Sequence, residues 1–476
     1  MLRQLFAAST IIMLGFVKVF AGDAKFSGKI TAPLSDEIQV SYYANLLDYS
    51  QKIVSARLDK DGNFTMNIPL SQPYTQLQIQ HGDQATEIFI QPDADIKMAV
   101  NANSFDSTLT YSGKGAELAN FMAKHMLESG FMVQFGSAIQ PLNKKEPEEF
   151  KTAANAVMQK ELDFLEQNKK GLPDGFDKYW KAWYQYSIYS DMLRYSFMHA
   201  MMKQKSMTVK LTKEDYKMAI DVPIAFDDKY VGIPSYVMYV SDIYNNRYKA
   251  KIEDDTTVSA EAKKETQQKI VNEQAKQTMP AKTREYYFAN QLYSNVKYNP
   301  LATVEKMYAD FRKDYKTSAY DSIIERVVGL KRKMAAGQPA MDFAFTTLEG
   351  KSMKLSDLKG KVVYLDFWAS WCGPCMRELP FAKKVKEHFK DKDVVFLNVS
   401  IDKDMNAWKN AVEKHSIVGI HTCEPGGWQA PAAKLYGVQG VPSYYLIDKQ
   451  GKFAAETSPR PSETEELIKQ IESLLN

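Results

Sequence analysis

From Lys25 to about Ser112, apolar residues recur at every second position: Ile38, Val40 and Tyr42; Phe64, Met66 and Ile68; Leu77 and Ile79; Ile88 and Ile90; Ile96, Met98 and Val100. A period of two turns one side of an extended chain towards a core and leaves the other to water. Asp61-Gly62 and Gln91-Pro92-Asp93 interrupt the alternation with turn residues. The pattern predicts a small antiparallel β-sandwich. From Ala116 to about Ala336 the period lengthens to the helical one. Leu118, Phe121 and Met122 open it, and Tyr179, Trp180, Trp183, Tyr184 and Tyr186 continue it at spacings of three and four. Such an aromatic stripe is expected to pack as core between helices rather than to line a groove. Lys251 to Thr278 is polar almost throughout, which predicts a solvated helix or connection.

The stretch KMAAGQPAMDF, which follows Arg332, marks a further change. Beyond it strands alternate with helices. KVVYLDF, Lys361 to Phe367, is a near-continuous apolar run suited to a central strand covered on both faces, and Val394 to Ile401 is a second. Ser443 to Ile447 and Phe453 to Glu456 are expected to pair antiparallel around the turn Asp448 to Gly451. Ser462 and Glu465 form a capping-box pattern for a last helix through Leu475. The predicted organisation is therefore a leader at 1–21, a β-sandwich-like domain at 22–113, an α-helical region at 114–335 and an α/β domain at 336–476.

Composition narrows the chemistry. With 61 basic and 58 acidic residues among 476, the net charge of +3 leaves no basic footprint for nucleic acid. The start, MLRQLFAASTIIMLGFVKVFAGDA, places Arg3 before an apolar run from Leu5 to Val17 and ends in Val19-Phe20-Ala21, the pattern of a cleavable export signal. Its apolar run is shorter than the roughly 20 residues a bilayer span requires, so an uncleaved anchor is the lesser expectation. Export into an oxidising space, the periplasm, follows from it. Scattered structural disulfides are usual there. This chain has only three cysteines, two of them in FWASWCGPCMRELP, Phe367 to Pro380. A lone CxxC pair builds no disulfide framework and lacks the second ligand pair of a zinc site, which leaves redox chemistry.

Thiol–disulfide exchange requires a thiolate nucleophile and a second thiol within reach to resolve the mixed disulfide. At the start of a helix, free N–H groups and the dipole stabilise a thiolate at Cys372, while Cys375 lies one turn further in. Gly373 lets a client chain approach, and Pro374 fits the first turn, where its missing N–H costs nothing.

WCGPC, with Asp366 six residues before Cys372, Pro380 five after Cys375, and Gly440-Val441-Pro442 preceding a strand, resembles the thioredoxin active site and its cis-proline loop. AMDFAFTTLEGKSMKLSDLKGKVV, Ala340 to Val363, together with MRELP, resembles the exported TlpA/ResA branch of the AhpC/TSA–redoxin superfamily. ARLDKDGNFTM in the β domain resembles the domain of unassigned function that precedes such modules in Bacteroidetes proteins. The resemblance implies a thioredoxin-like fold for 336–476, with Cys372 as attacking thiolate and Cys375 as resolving thiol. Asp366 would be the buried acid that accepts the Cys375 proton, and Glu378 would share or replace it. Val441 and Pro442 would shape the edge that pairs with a client strand, and Trp371 would shield the disulfide. No cofactor is implied beyond the redox-active Cys372–Cys375 pair, and no metal. Ala369 stands where peroxiredoxins carry a hydroxyl residue, which argues against peroxide reduction.

Cys423, in HTCEPGG, reads as a small buried hydrophobe, with a reactive third thiol as the alternative. The expected function is an exported protein-disulfide reductase acting on disulfide-containing exported proteins and recharged by a membrane thiol-transfer donor. The alternatives are a disulfide oxidant or isomerase, and a client-binding protein with an accessory redox module.

Overall fold

The computed structural model describes residues 22–129, 144–204, 211–250 and 259–475; the predicted export signal at 1–21 and residues 251–258 of the polar segment lie outside them. The chain forms two compact units, Met1–Tyr287 and Phe288–Asn476.

In the first unit, two four-stranded sheets enclose an apolar core. One runs Asn63–Leu70, Gly22–Thr31, Asp95–Asn101, Thr110–Lys114; the other runs Ser50–Arg57, Glu37–Asn45, Thr75–His81, Gln84–Ile90. Phe64, Met66, Ile68 and Leu70 alternate inward with strict period two, as their spacing predicts. All ladders are antiparallel except Gly22–Thr31 with Asp95–Asn101, which is parallel. Helices Ala116–Ser129, Pro147–Asn168, Phe176–Gln204 and Pro234–Lys249 follow. The aromatic stripe is core: Tyr179, Trp180, Trp183, Tyr184 and Tyr186 are all buried. Phe89 of the sheet meets Phe176 and Trp183 edge-on at 5.5 Å each, which joins sheet to helix. The polar segment is helical from Ala260 to Thr278, capped by the Ser259 hydroxyl, which accepts the Ala262 N–H.

The second unit is built on a sheet in the order Ile420–Cys423, Val394–Ser400, Val362–Trp368, Ser443–Ile447, the first three parallel and the last antiparallel. Val362–Trp368 is buried on both faces, as its apolar run predicts. Val363, Leu365 and Phe367 pack in one core with Trp408, Tyr436 and Phe453. Val362 and Tyr364 pack in the other with Val385, Phe389, Leu467 and Ile471. At about 1.5–3 kcal/mol per buried large side chain, these two faces hold the strand rigidly under the CxxC motif.

Two local expectations fail here. The strand at Phe453–Glu456 shrinks to a single bridge between Ile447 and Phe453. Glu456 is drawn off by the Leu301 N–H and by Lys331, and Pro459 and Pro461 beyond it cannot donate to a ladder. The Ser462–Glu465 capping box does not form either. Ser462 gives its N–H and hydroxyl to the Glu378 carboxylate at 2.9 and 3.1 Å, and the last helix starts at Thr464. A charged acceptor outcompetes the local cap.

Candidate functional site

The central strand ends at Trp368, and four residues later Cys372 caps the helix Gly373–His388. Cys372 has extended backbone angles and its sulfur accepts the Cys375 N–H at 3.1 Å. Cys372 and Cys375 are joined as a disulfide. Pro374 stands in the first turn. At Gly373 an added Cβ would meet only the Arg377 guanidinium at 3.8 Å, so the fold itself does not require glycine there and the space beside it is open. Val441–Pro442 is a cis peptide, and the Val441 carbonyl oxygen lies 3.6 Å from Cys372 Sγ. In this oxidised form both cysteines are only 3% exposed, so Cys372 is more enclosed than the expected role of attacking thiolate suggests. Trp371, the residue before Cys372, is 59% exposed.

The loop before Cys372 is tied down by Asp402. Its buried carboxylate accepts the Ser370 N–H at 2.9 Å, the Ser370 hydroxyl at 2.7 Å and the Ser400 hydroxyl at 2.6 Å. Two of these bonds go to Ser370, and they anchor the turn that leads into Trp371 and Cys372 to the end of the neighbouring strand. Sequence reasoning missed Asp402, because the link between Ser370 and the end of the neighbouring strand exists only after the parallel pairing of Trp368 with Ser400.

A second aromatic was also missed. Trp428, 41% exposed, meets Trp371 edge-on at 6.0 Å. The signal for it was the Gly-Gly turn before it: Gly426 and Gly427 have φ of 139° and 61°, the region that only glycine adopts freely.

Asp366 lies in register with Asn398 on one side and Tyr444 on the other. Although the residue is partly exposed along the strand, its Oδ1 is sealed from solvent without a hydrogen-bond partner. Burial pushes its carboxyl up to about 7, against the pull of Lys386 and with a further push from Glu378. Burial likewise lowers Lys386, which the Asp366 charge counteracts. The Lys386 ammonium donates to Asn398 Oδ1 at 3.1 Å and to the Val418 carbonyl at 2.6 Å. Lys386 was not anticipated; its only sequence signal is a lysine set between Val385 and Phe389 on an apolar helix face. Glu378 is close enough to act on Asp366, yet its carboxylate is engaged by Ser462.

Cys423 closes the strand Ile420–Cys423, buried, with its thiol donating to the Asp402 carbonyl at 3.4 Å. Burial pushes its thiol up. In the reduced protein, iodoacetamide at mildly acidic pH is therefore expected to label Cys372 first, as a helix-cap thiol, and Cys423 last. Equal labelling of the three thiols would remove the distinction.

A CxxC pair at a strand-to-helix junction, faced by the 440–443 loop of an α/β sheet, defines a thioredoxin-fold thiol–disulfide oxidoreductase. Residues 335–471 match the Redoxin family model. The thiol-disulfide oxidoreductase ResA of Bacillus thuringiensis subsp. konkukian is 36% identical over 143 residues, which are 30% of this chain and 81% of the relative. ResA of Bacillus subtilis is 30% identical over 131 residues, 28% of this chain and 72% of the relative. Among solved structures, the thioredoxin domain of a thiol-disulfide oxidoreductase from Bacteroides vulgatus is 30% identical, covering 30% of this chain and 99% of that one, with a TM-score of 0.27. The chain belongs to the TlpA/ResA-type redoxin family.

Proposed function

We propose that the chain is an exported protein-disulfide reductase working through Cys372 and Cys375. One observation carries this reading: Cys372 caps a helix, with the Cys375 N–H on its sulfur and the Val441 carbonyl opposite. In the reduced protein the Cys372 thiolate attacks one sulfur of a client disulfide. A bond forms between Cys372 Sγ and that sulfur, and the other client sulfur leaves as a thiolate. Cys375 then gives its proton to Asp366, and its thiolate attacks Cys372 Sγ. The intramolecular disulfide forms and the second client thiolate leaves. Two electrons have passed to the client. The Val441 backbone pairs with the client strand, Pro442 offers no competing N–H, and Trp371 shields the sulfurs.

The Gly-Pro dipeptide between the cysteines matches the reducing end of the fold, with a thioredoxin-like potential of about −270 mV against about −120 mV for a periplasmic oxidant. That difference of roughly 150 mV is about 7 kcal/mol for two electrons, so the exported pair stays reduced only if electrons are supplied. Cys423 is the one remaining cysteine and forms no second pair within the chain. The donor is then external, a membrane thiol-transfer protein, and the clients are disulfide-containing exported proteins in the periplasm. No helix among the described residues is long and apolar enough to cross a membrane. Equilibration of the pair with glutathione is expected to return a potential near the thioredoxin value. In cells the pair is expected to be largely reduced and to become oxidised when membrane thiol export is disabled. A potential near −120 mV, or a pair fully oxidised in unperturbed cells with normal client turnover, would make the protein an oxidant instead.

A further inference from the structure

The C-terminal unit begins at Phe288, well before the family match at 335. Residues 288–334 therefore fold with the redox module without belonging to the matched part. They comprise the end of the helix Ala281–Val296, the helix Leu301–Asp314 and the helix Asp321–Lys333. Their contacts converge on one place. The Lys297 ammonium donates to the Ser443 hydroxyl at 3.0 Å, and that hydroxyl donates to the Gly440 carbonyl at 2.6 Å. The Lys297 residue is exposed overall, yet its tip reaches Ser443, which is only 4% exposed. The Gln439 side-chain amide donates to the Tyr293 hydroxyl. Leu330 packs on Gly437 so closely that a Cβ there would stand 2.2 Å from its Cδ2. Beyond the following strand, the Leu301 N–H and the Lys331 ammonium hold Glu456, at 2.6 and 3.4 Å.

The segment thus grips 437, 439 and 443, on both sides of Val441. Val441 itself is the residue whose carbonyl faces Cys372. We propose that the helical segment 288–334 is a brace for the client-pairing loop, with Lys297 as its positioning residue and Tyr293 as a second support. The inference rests on the reading that clients pair with the Val441 backbone. A loop already held in its pairing conformation costs less order when a client strand docks, so the brace acts on client affinity. Among the described residues it makes no hydrogen bond to either sulfur, and exchange with a small disulfide that needs no strand pairing does not depend on it.

The test uses the full chain and two oxidants of the reduced protein, a disulfide-bonded peptide and oxidised glutathione. In Lys297→Met the KM for the peptide is expected to rise about tenfold, the usual effect of losing one hydrogen bond to a charged group, with kcat little changed. Lys297→Arg, which keeps a donor, is expected to recover most of the loss. Ser443→Ala, which also loses the bond to the Gly440 carbonyl, is expected to raise the peptide KM at least as much as Lys297→Met, and the double variant to be no worse than Ser443→Ala, because Lys297 acts through that hydroxyl. Rates with glutathione are expected to stay at the wild-type value in both Lys297 variants. Should Lys297→Met fail to fold, Tyr293→Phe carries the same comparison, with a smaller rise in peptide KM and an unchanged rate with glutathione. Equal losses with peptide and glutathione, additive losses in the double variant, or an unchanged peptide KM would each overturn the brace. Wild-type protein that exchanges with glutathione but with no peptide at all would instead overturn the client-pairing reading on which it stands.

Discussion

Replacing Cys372 by serine is expected to abolish disulfide exchange, whereas replacing Cys375 by serine is expected to leave the first step intact and accumulate mixed disulfides. The two variants differ because the first removes the nucleophile and the second only the thiol that expels the client. Both side chains are small, buried and followed by a helix whose remaining hydrogen bonds do not involve sulfur, so neither change threatens the fold. Client proteins caught on Cys375→Ser, separated without reductant and released by dithiothreitol, would identify the natural substrates directly. The roles would have to be exchanged if Cys372→Ser formed the stable adducts. Normal turnover in Cys375→Ser would require another resolving thiol. Cys423 is poorly placed for that, because its thiol is buried and donates to the Asp402 carbonyl.

What the sequence revealed depended on how local each signal was. Phe64, Met66 and Ile68 report a half-buried strand to anyone counting by twos, and Val362 to Phe367 reports one buried on both faces. Cys372 and Cys375 carry their geometry in their own spacing, since a helix that starts at Gly373 forces the Cys375 N–H back onto the first sulfur. The parallel pairing of Gly22–Thr31 with Asp95–Asn101 joins segments about 70 residues apart, and no neighbouring residue encodes it. The same holds for Asp402 on Ser370, Trp428 against Trp371 and Lys297 on Ser443. Each involves a polar or aromatic side chain whose partner is brought up by the sheet or by a helix elsewhere in the chain. Even the capping box failed for this reason, because Glu378 from another helix reached Ser462 first. Local pattern located the CxxC pair; the surroundings that position it are tertiary.

Asp366→Asn is expected to make the oxidised protein more stable at alkaline pH and slower at resolving mixed disulfides. The carboxyl rises from the ordinary 3.8 to about 7 because burial disfavours its charge. Between those two values the folded state holds a proton that the unfolded state has released, so stability falls as pH rises through this window. The full cost of ionising the buried group is reached only above about 7. Asparagine cannot ionise and escapes it. The gain at pH 8 is therefore at most this cost, reduced by what Lys386 loses with its counter-charge, and it is expected to vanish towards pH 4. Denaturant unfolding at pH 4, 6 and 8 reads it directly. A variant whose stability followed the wild-type pH slope would show that Asp366 is not the group responsible. In exchange kinetics the sign reverses: asparagine accepts no proton from Cys375, so the release of clients from the mixed disulfide slows most near neutral pH, where the wild-type carboxylate is half available. A destabilising carboxylate kept beneath the CxxC helix is then explained by its chemistry, since the burial that costs stability is also what raises its proton affinity towards that of a thiol.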